Sequence, residues 1–152
     1  MDILFGLKKT VFLTLAWILC LVVLDHSAGA EVFNTEVRII LASNSDQGFD
    51  PRLLDLKKDL LSLNYMSFQL IDQTGLSLNR GQSGKVPIPG RRVMELTPTG
   101  VEQGKIVMQV RIGEGGSSLL KTQIRIANHG TVIIGGPSFQ SGFIVLAITA
   151  HF

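Results

Sequence analysis

Ile106-Val107-Met108-Gln109-Val110-Arg111-Ile112, residues 106–112, places Ile106, Met108, Val110 and Ile112 on one face of an extended chain. A strand turns successive side chains to opposite faces, so this segment lies with one face on a core. Glycine-rich turns bound it: Gly100 to Gly104 before, Gly113-Glu114-Gly115-Gly116 after. Leu120 to Ala127 repeats the pattern, with Ile124 and Ile126 inward and Gln123 and Arg125 outward. Asn128-His129-Gly130 is a tight-turn signal. Thr131-Val132-Ile133-Ile134 and Ile144 to Thr149 are apolar on both faces, the composition of strands in the middle of a packed structure.

The same period extends upstream. Arg91 to Leu96 alternates, and Pro87 and Pro89 make Lys85 to Gly90 an edge strand or extended loop, because proline donates no ladder hydrogen bond. Gly81-Gln82-Ser83-Gly84 is a turn. Tyr65 to Ile71 and Leu76 to Leu78 flank Asp72-Gln73-Thr74-Gly75 and read as a hairpin. After a polar lead, Glu31 to Glu36, Val37 to Ala42 is a first strand. One segment breaks the period. Asp50-Pro51 starts a helix, Asp50 as cap and Pro51 in the first turn. Leu53, Leu56, Leu60 and Leu63, widened by Leu54 and Leu61, make an apolar stripe opposite Asp55, Lys57, Lys58 and Asp59. The spacing predicts a helix at about 51–63, of some three and a half turns, ending near Asn64. The expected fold is α+β and mainly antiparallel β, a sandwich or partial barrel with one amphipathic helix near its start.

Residues 1–30 read as a cleavable signal peptide. Lys8 and Lys9 precede the uncharged run Val11 to Leu24, and Ala28-Gly29-Ala30 supplies the small residues before a cut. The run is shorter than the roughly 20 residues that a membrane-spanning helix needs. Cys20 sits inside it between Leu19 and Leu21, the wrong context for lipidation. Twin arginines are absent, which favours the general secretory route. The expected location is periplasmic or secreted, with residues 31–152 as a single β-rich domain. Removing residues 1–30 takes away the only cysteine, leaving no disulfide and a fold that depends on its packed core. A net charge of +2 spread along the chain makes no case for nucleic acid.

No catalytic set is legible. His129 lies in a predicted turn and His151 near residue 152, with no nucleophile elbow. Gly113 to Ser118 with Lys121-Thr122 lacks phosphate-loop spacing and reads as a hairpin turn. Asn44, Asp46 and Asp50 offer oxygens at calcium-loop intervals, but the sixth and twelfth places hold Phe49 and Asp55; a polar loop feeding a capped helix explains the same residues. Arg91-Arg92 is the densest basic spot, its two side chains pointing to opposite strand faces. Tyr65 alone, without tryptophan beyond Trp17, makes a poor sugar-stacking platform. Ile144, Leu146, Ile148, Ala150 and Phe152 alternate as the last strand of an outer-membrane barrel does, while Val145, Ala147 and Thr149 do not form a polar lumen face.

Lys121 to Gly136 runs strand, Asn128-His129-Gly130-Thr131 turn, apolar strand and Gly135-Gly136, followed by Pro137. This segment resembles part of the gate domain of secretins, the outer-membrane gates of type II secretion and type IV pili. The resemblance covers residues 121–136 and implies a β-hairpin and an envelope setting, not a pore. The wider pattern is similar to exported bacterial β-rich proteins that end in an Ile-Gly-Gly-Pro hairpin and have no assigned activity. Together these features lead us to expect a non-enzymatic envelope protein acting through protein contacts, an accessory of a secretion or pilus assembly. It takes no cofactor, meets the membrane only through its signal peptide and binds no nucleic acid. A small outer-membrane barrel and a secreted hydrolase or ligand-binding module are the alternatives. N-terminal sequencing of the protein recovered outside the cytoplasm is expected to begin at Glu31; a cytosolic protein retaining Met1 would end the export reading.

Overall fold

The computed structural model describes residues 31–45 and 47–152. The predicted export segment, residues 1–30 with Cys20, and the loop residue Asp46 lie outside the described residues. From Glu31 the chain forms two mainly antiparallel sheets, one curled into a half-barrel, with a short helical segment.

The five-stranded sheet is built around β1 (Val32–Ser43). Its order is β2 (Gly48–Phe49), β3 (Ser67–Asn79), β1, β9 (Gly142–His151) and β8 (Gly130–Phe139). All neighbours are antiparallel except β2 and β3. The four-stranded sheet is a meander of β4 (Gly84–Ile88), β5 (Arg92–Glu102), β6 (Lys105–Glu114) and β7 (Ser117–Ala127). The expected polar lead belongs to β1, because Phe33 and Thr35 alternate inward with Val37 and Ile39.

Two cores result. Between the sheets lie Phe33, Val37 and Ile39 of β1, Ile144, Leu146, Ile148 and Ala150 of β9, and Ile106, Met108, Val110 and Ile112 of β6. The alternation read in residues 106–112 is therefore the inner face of β6. On the other side of the five-stranded sheet, Ile40, Ala42, Phe68, Leu70, Val145 and Ala147 pack against Leu53, Leu56 and Leu60. β9 is buried on both faces, as its composition requires.

The helical segment is shorter and tighter than predicted. A 3-10 helix covers Pro51–Leu56, and an α-helix, α1, covers Lys57–Leu61. Asp50 caps it as expected, accepting from the Arg52 N–H, and Asn64 takes a left-handed conformation just past its end (φ 58°). A 3-10 helix repeats every three residues, so Leu53 and Leu56 fall on one line, and Leu60 follows four residues on. Leu54, Leu61 and Leu63 rotate away from that line and are exposed, not part of the stripe.

The expected hairpin at Asp72–Gly75 does not form; β3 runs unbroken and pairs with β1 along its whole length. Its register shifts by one residue, Ile39 opposite Asp72 and Ile40 opposite Leu70, so Ile71 bulges out. An added residue exchanges the two faces of the strand beyond it. Phe68 and Leu70 therefore serve the helix-side core, while Leu76 and Leu78 serve the core between the sheets. The polar residues at this crossover imitate a turn. Likewise Gly100 lies within β5, and the turn is Gln103-Gly104 alone. β4 is an edge strand, as Pro87 requires.

Thr131–Ile134 reads as a strand in the middle of a packed structure, but β8 lies at the edge of its sheet and these four residues are half-buried. Apolar composition on both faces reports what each face can meet, not how many backbone neighbours the strand has.

Truncation separates the two classes of leucine. Leu60→Ala should lower stability by about 2–5 kcal/mol, and Leu61→Ala by less than about 0.5 kcal/mol, both measured by urea unfolding. Equal losses would show a wider helical contact.

Candidate functional site

Natural sheet edges are guarded by charge, proline, bulges or a covering segment. β4 carries Pro87, β7 carries Lys121 and Arg125, and β2 covers one end of β3. β8 is different: from Gly130 to Phe139 it holds no charged residue. Its only interruption is at Gly135-Gly136-Pro137, where pairing with β9 slips and resumes at Ser138 opposite Phe143. Gly136 is needed there because a Cβ would come within 2.9 Å of the Ile144 carbonyl oxygen. Beside this bulge, Leu119 and Leu120 of β7, Ile112 and Pro137 line an open apolar cleft of about 190 Å³. The Thr131–Ile134 edge and this cleft form one continuous strip along β8.

The outer face of the four-stranded sheet is the second candidate surface. The strand register aligns Lys85, Glu95, Arg111 and Lys121 in one row across β4 to β7, and Thr97, Gln109 and Gln123 in the next. Ser83 meets Thr97, hydroxyl to hydroxyl, at 2.7 Å. Two adjoining clefts, about 220 and 330 Å³, share Glu95 and Arg111, and Arg91 lines the larger.

The sequence-derived candidates find definite places. His129 and His151 come together, rings stacked at 5.6 Å between centroids and 13° between planes. The pairing of Gly130 with Ala150 carries them there, a closeness legible only once the register is known. Asn128 holds the adjoining backbone, donating to the Phe152 carbonyl and accepting from its N–H, both at 3.2 Å. The positive φ of that turn belongs to His129 (58°) rather than Gly130. Of the calcium-spaced residues, Asn44 accepts from the Met66 N–H, and Asp50 accepts from Arg52 and the Leu70 N–H. These hydrogen bonds, led by the Arg52 side chain, hold the Asp50 carboxyl far below the usual carboxylate range. Gly115-Gly116 makes the β6–β7 hairpin turn, as read from the glycine run. Arg91 and Arg92 separate: Arg92 pairs with Glu114 at 3.0 Å, and Arg91 turns to the cleft. Tyr65 packs edge-on to Phe68.

One ion pair ties the helical segment to β1. Arg38, almost wholly buried, donates two hydrogen bonds to Asp55 (2.9 and 2.7 Å) and lies 3.5 Å from Glu36. The hydrogen bonds to Arg38 hold the Asp55 carboxyl below its ordinary value, and they raise Arg38. Nothing in the sequence marked this pair, since 17 residues separate its members.

Compared with protein families, curated proteins and solved structures, the chain finds no match.

Asp55→Asn leaves a buried guanidinium with Glu36 alone, so it should cost about 1–2 kcal/mol, less than a fully buried pair because Asp55 faces water. Arg38→Met leaves two exposed carboxylates, Asp55 and Glu36, and should cost less. A lowered folded pKa stabilises above the unfolded value and loses that contribution as pH falls. Urea unfolding should therefore show the gap between wild type and Asp55→Asn full above about pH 5 and closing below about pH 4.

Proposed function

We propose that the chain is an exported, non-enzymatic protein of the cell envelope that acts by strand addition at β8, as an accessory of a secretion or pilus assembly. The observation that carries this reading is the composition of β8: a centre-strand sequence in an edge position. Thr131–Ile134 presents unpaired backbone groups on one side and half-buried apolar side chains on both faces. An added strand satisfies the first and covers the second. Main-chain hydrogen bonds supply affinity, and the cleft by Leu119 and Pro137 selects an apolar side chain at one end.

The occupant proposed is an extended, uncharged segment of another envelope protein. β8 offers it no ionic partner, so charged segments gain nothing by desolvation there. Export and the envelope setting rest on the signal-type pattern of residues 1–30; the β-hairpin that the resemblance of residues 121–136 implied does not form, because β7 and β8 turn into different sheets. The alternation of residues 144–152, which suggested a membrane barrel, has another source in the two cores flanking β9.

Replacing both Thr131 and Ile133 by Lys puts charge on the helix-side face of the edge, where Ile133 borders the second core, while leaving the inter-sheet residues Val132 and Ile134 in place. Affinity capture from envelope extracts should retain a partner with wild type and lose it with the double variant, the circular dichroism of the two being alike. Lys85→Gln, on a different edge, should retain it. No partner above background, or equal capture by all three proteins, overturns the reading.

A further inference from the structure

The charges of this chain are segregated, and the sheets carry the segregation into space. Residues 31–83 hold five basic and seven acidic side chains, residues 84–127 hold seven basic and three acidic, and residues 128–152 hold none. The four-stranded sheet therefore has a net charge of +4, and the charge is not spread evenly along the chain. Two of its three carboxylates are already taken: Glu114 by Arg92 at 3.0 Å and Glu102 by Arg125 at 3.2 Å. Glu95 alone remains to face Lys85, Arg91, Arg111 and Lys121, and among the described residues none of these five side chains makes an ion pair. An excess of three positive charges thus lines two joined clefts.

We propose that this face binds an acidic polysaccharide of the uronate type, with Lys85, Arg91, Arg111 and Lys121 taking carboxylates and Glu95 accepting from hydroxyls. Four features select this ligand class. The unpaired cations favour an anionic occupant, because like charges held together are stabilised by counter-charge. The site is a sheet face, where ladder pairing already uses the backbone of β5 and β6 on both sides. A peptide main chain therefore has nothing to pair with here, unlike at an edge. Residues 84–127 contain no aromatic side chain, so neither nucleic-acid bases nor the faces of neutral sugars find a stacking surface. Finally, Glu95 stands within the cationic row, and Ser83, Thr97, Gln109 and Gln123 form polar neighbours. Hydroxyl groups next to carboxylates match that mixture, while a polyphosphate meets repulsion at Glu95 and has no hydroxyl to offer it.

The span also fits a chain. Strands lie about 4.8 Å apart, so the row from Lys85 to Lys121 crosses about 14 Å. An extended polymer can contact both clefts, whereas a single small anion fills one. Charge does here what aromatic stacking does for neutral sugars, and the lack of tryptophan in residues 31–152 is no obstacle. This surface is separate from the β8 edge, so it stands or falls independently of strand addition.

Binding of polygalacturonate to the protein, measured by titration calorimetry, tests the proposal. Binding is expected, weakening as sodium chloride rises from about 0.05 to about 0.5 M, with none to neutral dextran. Arg111→Gln combined with Lys121→Gln should weaken it by about tenfold or more. Lys57→Gln combined with Lys58→Gln, the same charge change on α1, should leave it within about twofold. Glu95→Gln should weaken polygalacturonate binding yet strengthen binding of inorganic polyphosphate. The proposal is overturned by no binding, by equal affinity for polyglutamate, polyphosphate or single-stranded DNA, or by equal effects of the two double variants. Circular dichroism and thermal melting of each variant identify any that misfold, and Glu95→Gln, which removes no cation, keeps the test independent of them.

Discussion

A sheet that is apolar on both faces must be covered twice, and the architecture follows from that requirement. β1 and β9 form the middle of the five-stranded sheet, and each carries large apolar residues to both sides: Ile39 and Ile40 on β1, Leu146 and Val145 on β9. Left uncovered, either face would expose a contiguous apolar patch. The four-stranded meander covers one face, and the segment around Leu53, Leu56 and Leu60 covers the other. The second cover is small, only as large as the apolar patch it meets. Beyond that patch the same face turns polar through Arg38, Glu36 and Asn34, and the Arg38–Asp55 pair marks the boundary. An amphipathic helix of full length would have overhung this border.

β3 solves a related problem by a different device. It neighbours β1 throughout, so its first half must serve the helix-side core and its second half the core between the sheets. A regular strand would need even-numbered apolar residues in one half and odd-numbered in the other. The Ile71 bulge allows Phe68, Leu70, Leu76 and Leu78 to keep even numbers while changing sides. This is why a sequence reading by period finds two short strands and a turn. Local pattern records each residue's polarity but not a one-residue slip in pairing, and Asp72-Gln73-Thr74-Gly75 has turn chemistry without turning.

The legible parts are those where a local rule and the tertiary contact agree. Alternation in residues 106–112 is the buried face of β6, and Asp50-Pro51 caps a helical start because the cap needs only neighbouring residues. The edge position of β4 follows from Pro87 itself. Both candidate surfaces were hidden, and for opposite reasons. On β8 the residues were noticed but assigned to the interior, since apolar side chains look alike whether a neighbour or a vacancy lies beside the backbone. On the four-stranded sheet Lys85, Glu95, Arg111 and Lys121 are ten or more residues apart along the chain, and only the register aligns them. The local pair Arg91-Arg92 drew attention instead, and half of it is neutralised by Glu114.

The two proposed surfaces would divide chemistry in a way that keeps them from interfering. An open edge attracts any extended chain, and surrounding it with charge would admit peptides of opposite sign. The lack of Lys, Arg, Asp and Glu from Asn128 to Phe152 removes that route, so under the proposed strand addition desolvation alone would discriminate at β8. The cationic face has the converse arrangement. The backbone of its central strands β5 and β6 is engaged in ladders on both sides, so an extended peptide lying across the face has no hydrogen bonds to gain there, and the proposed selectivity comes from side-chain charge and from Glu95. Arg92 sits between the two regions, paired with Glu114 and donating to the Ser138 carbonyl of β8 at 3.0 Å. It spends its charge within the fold, on a carboxylate and on the far end of the edge strand. A free arginine at that point would have extended the cationic field over β8. Neutralised there, it closes the end of the edge and keeps the charge of the four-stranded sheet apart from β8.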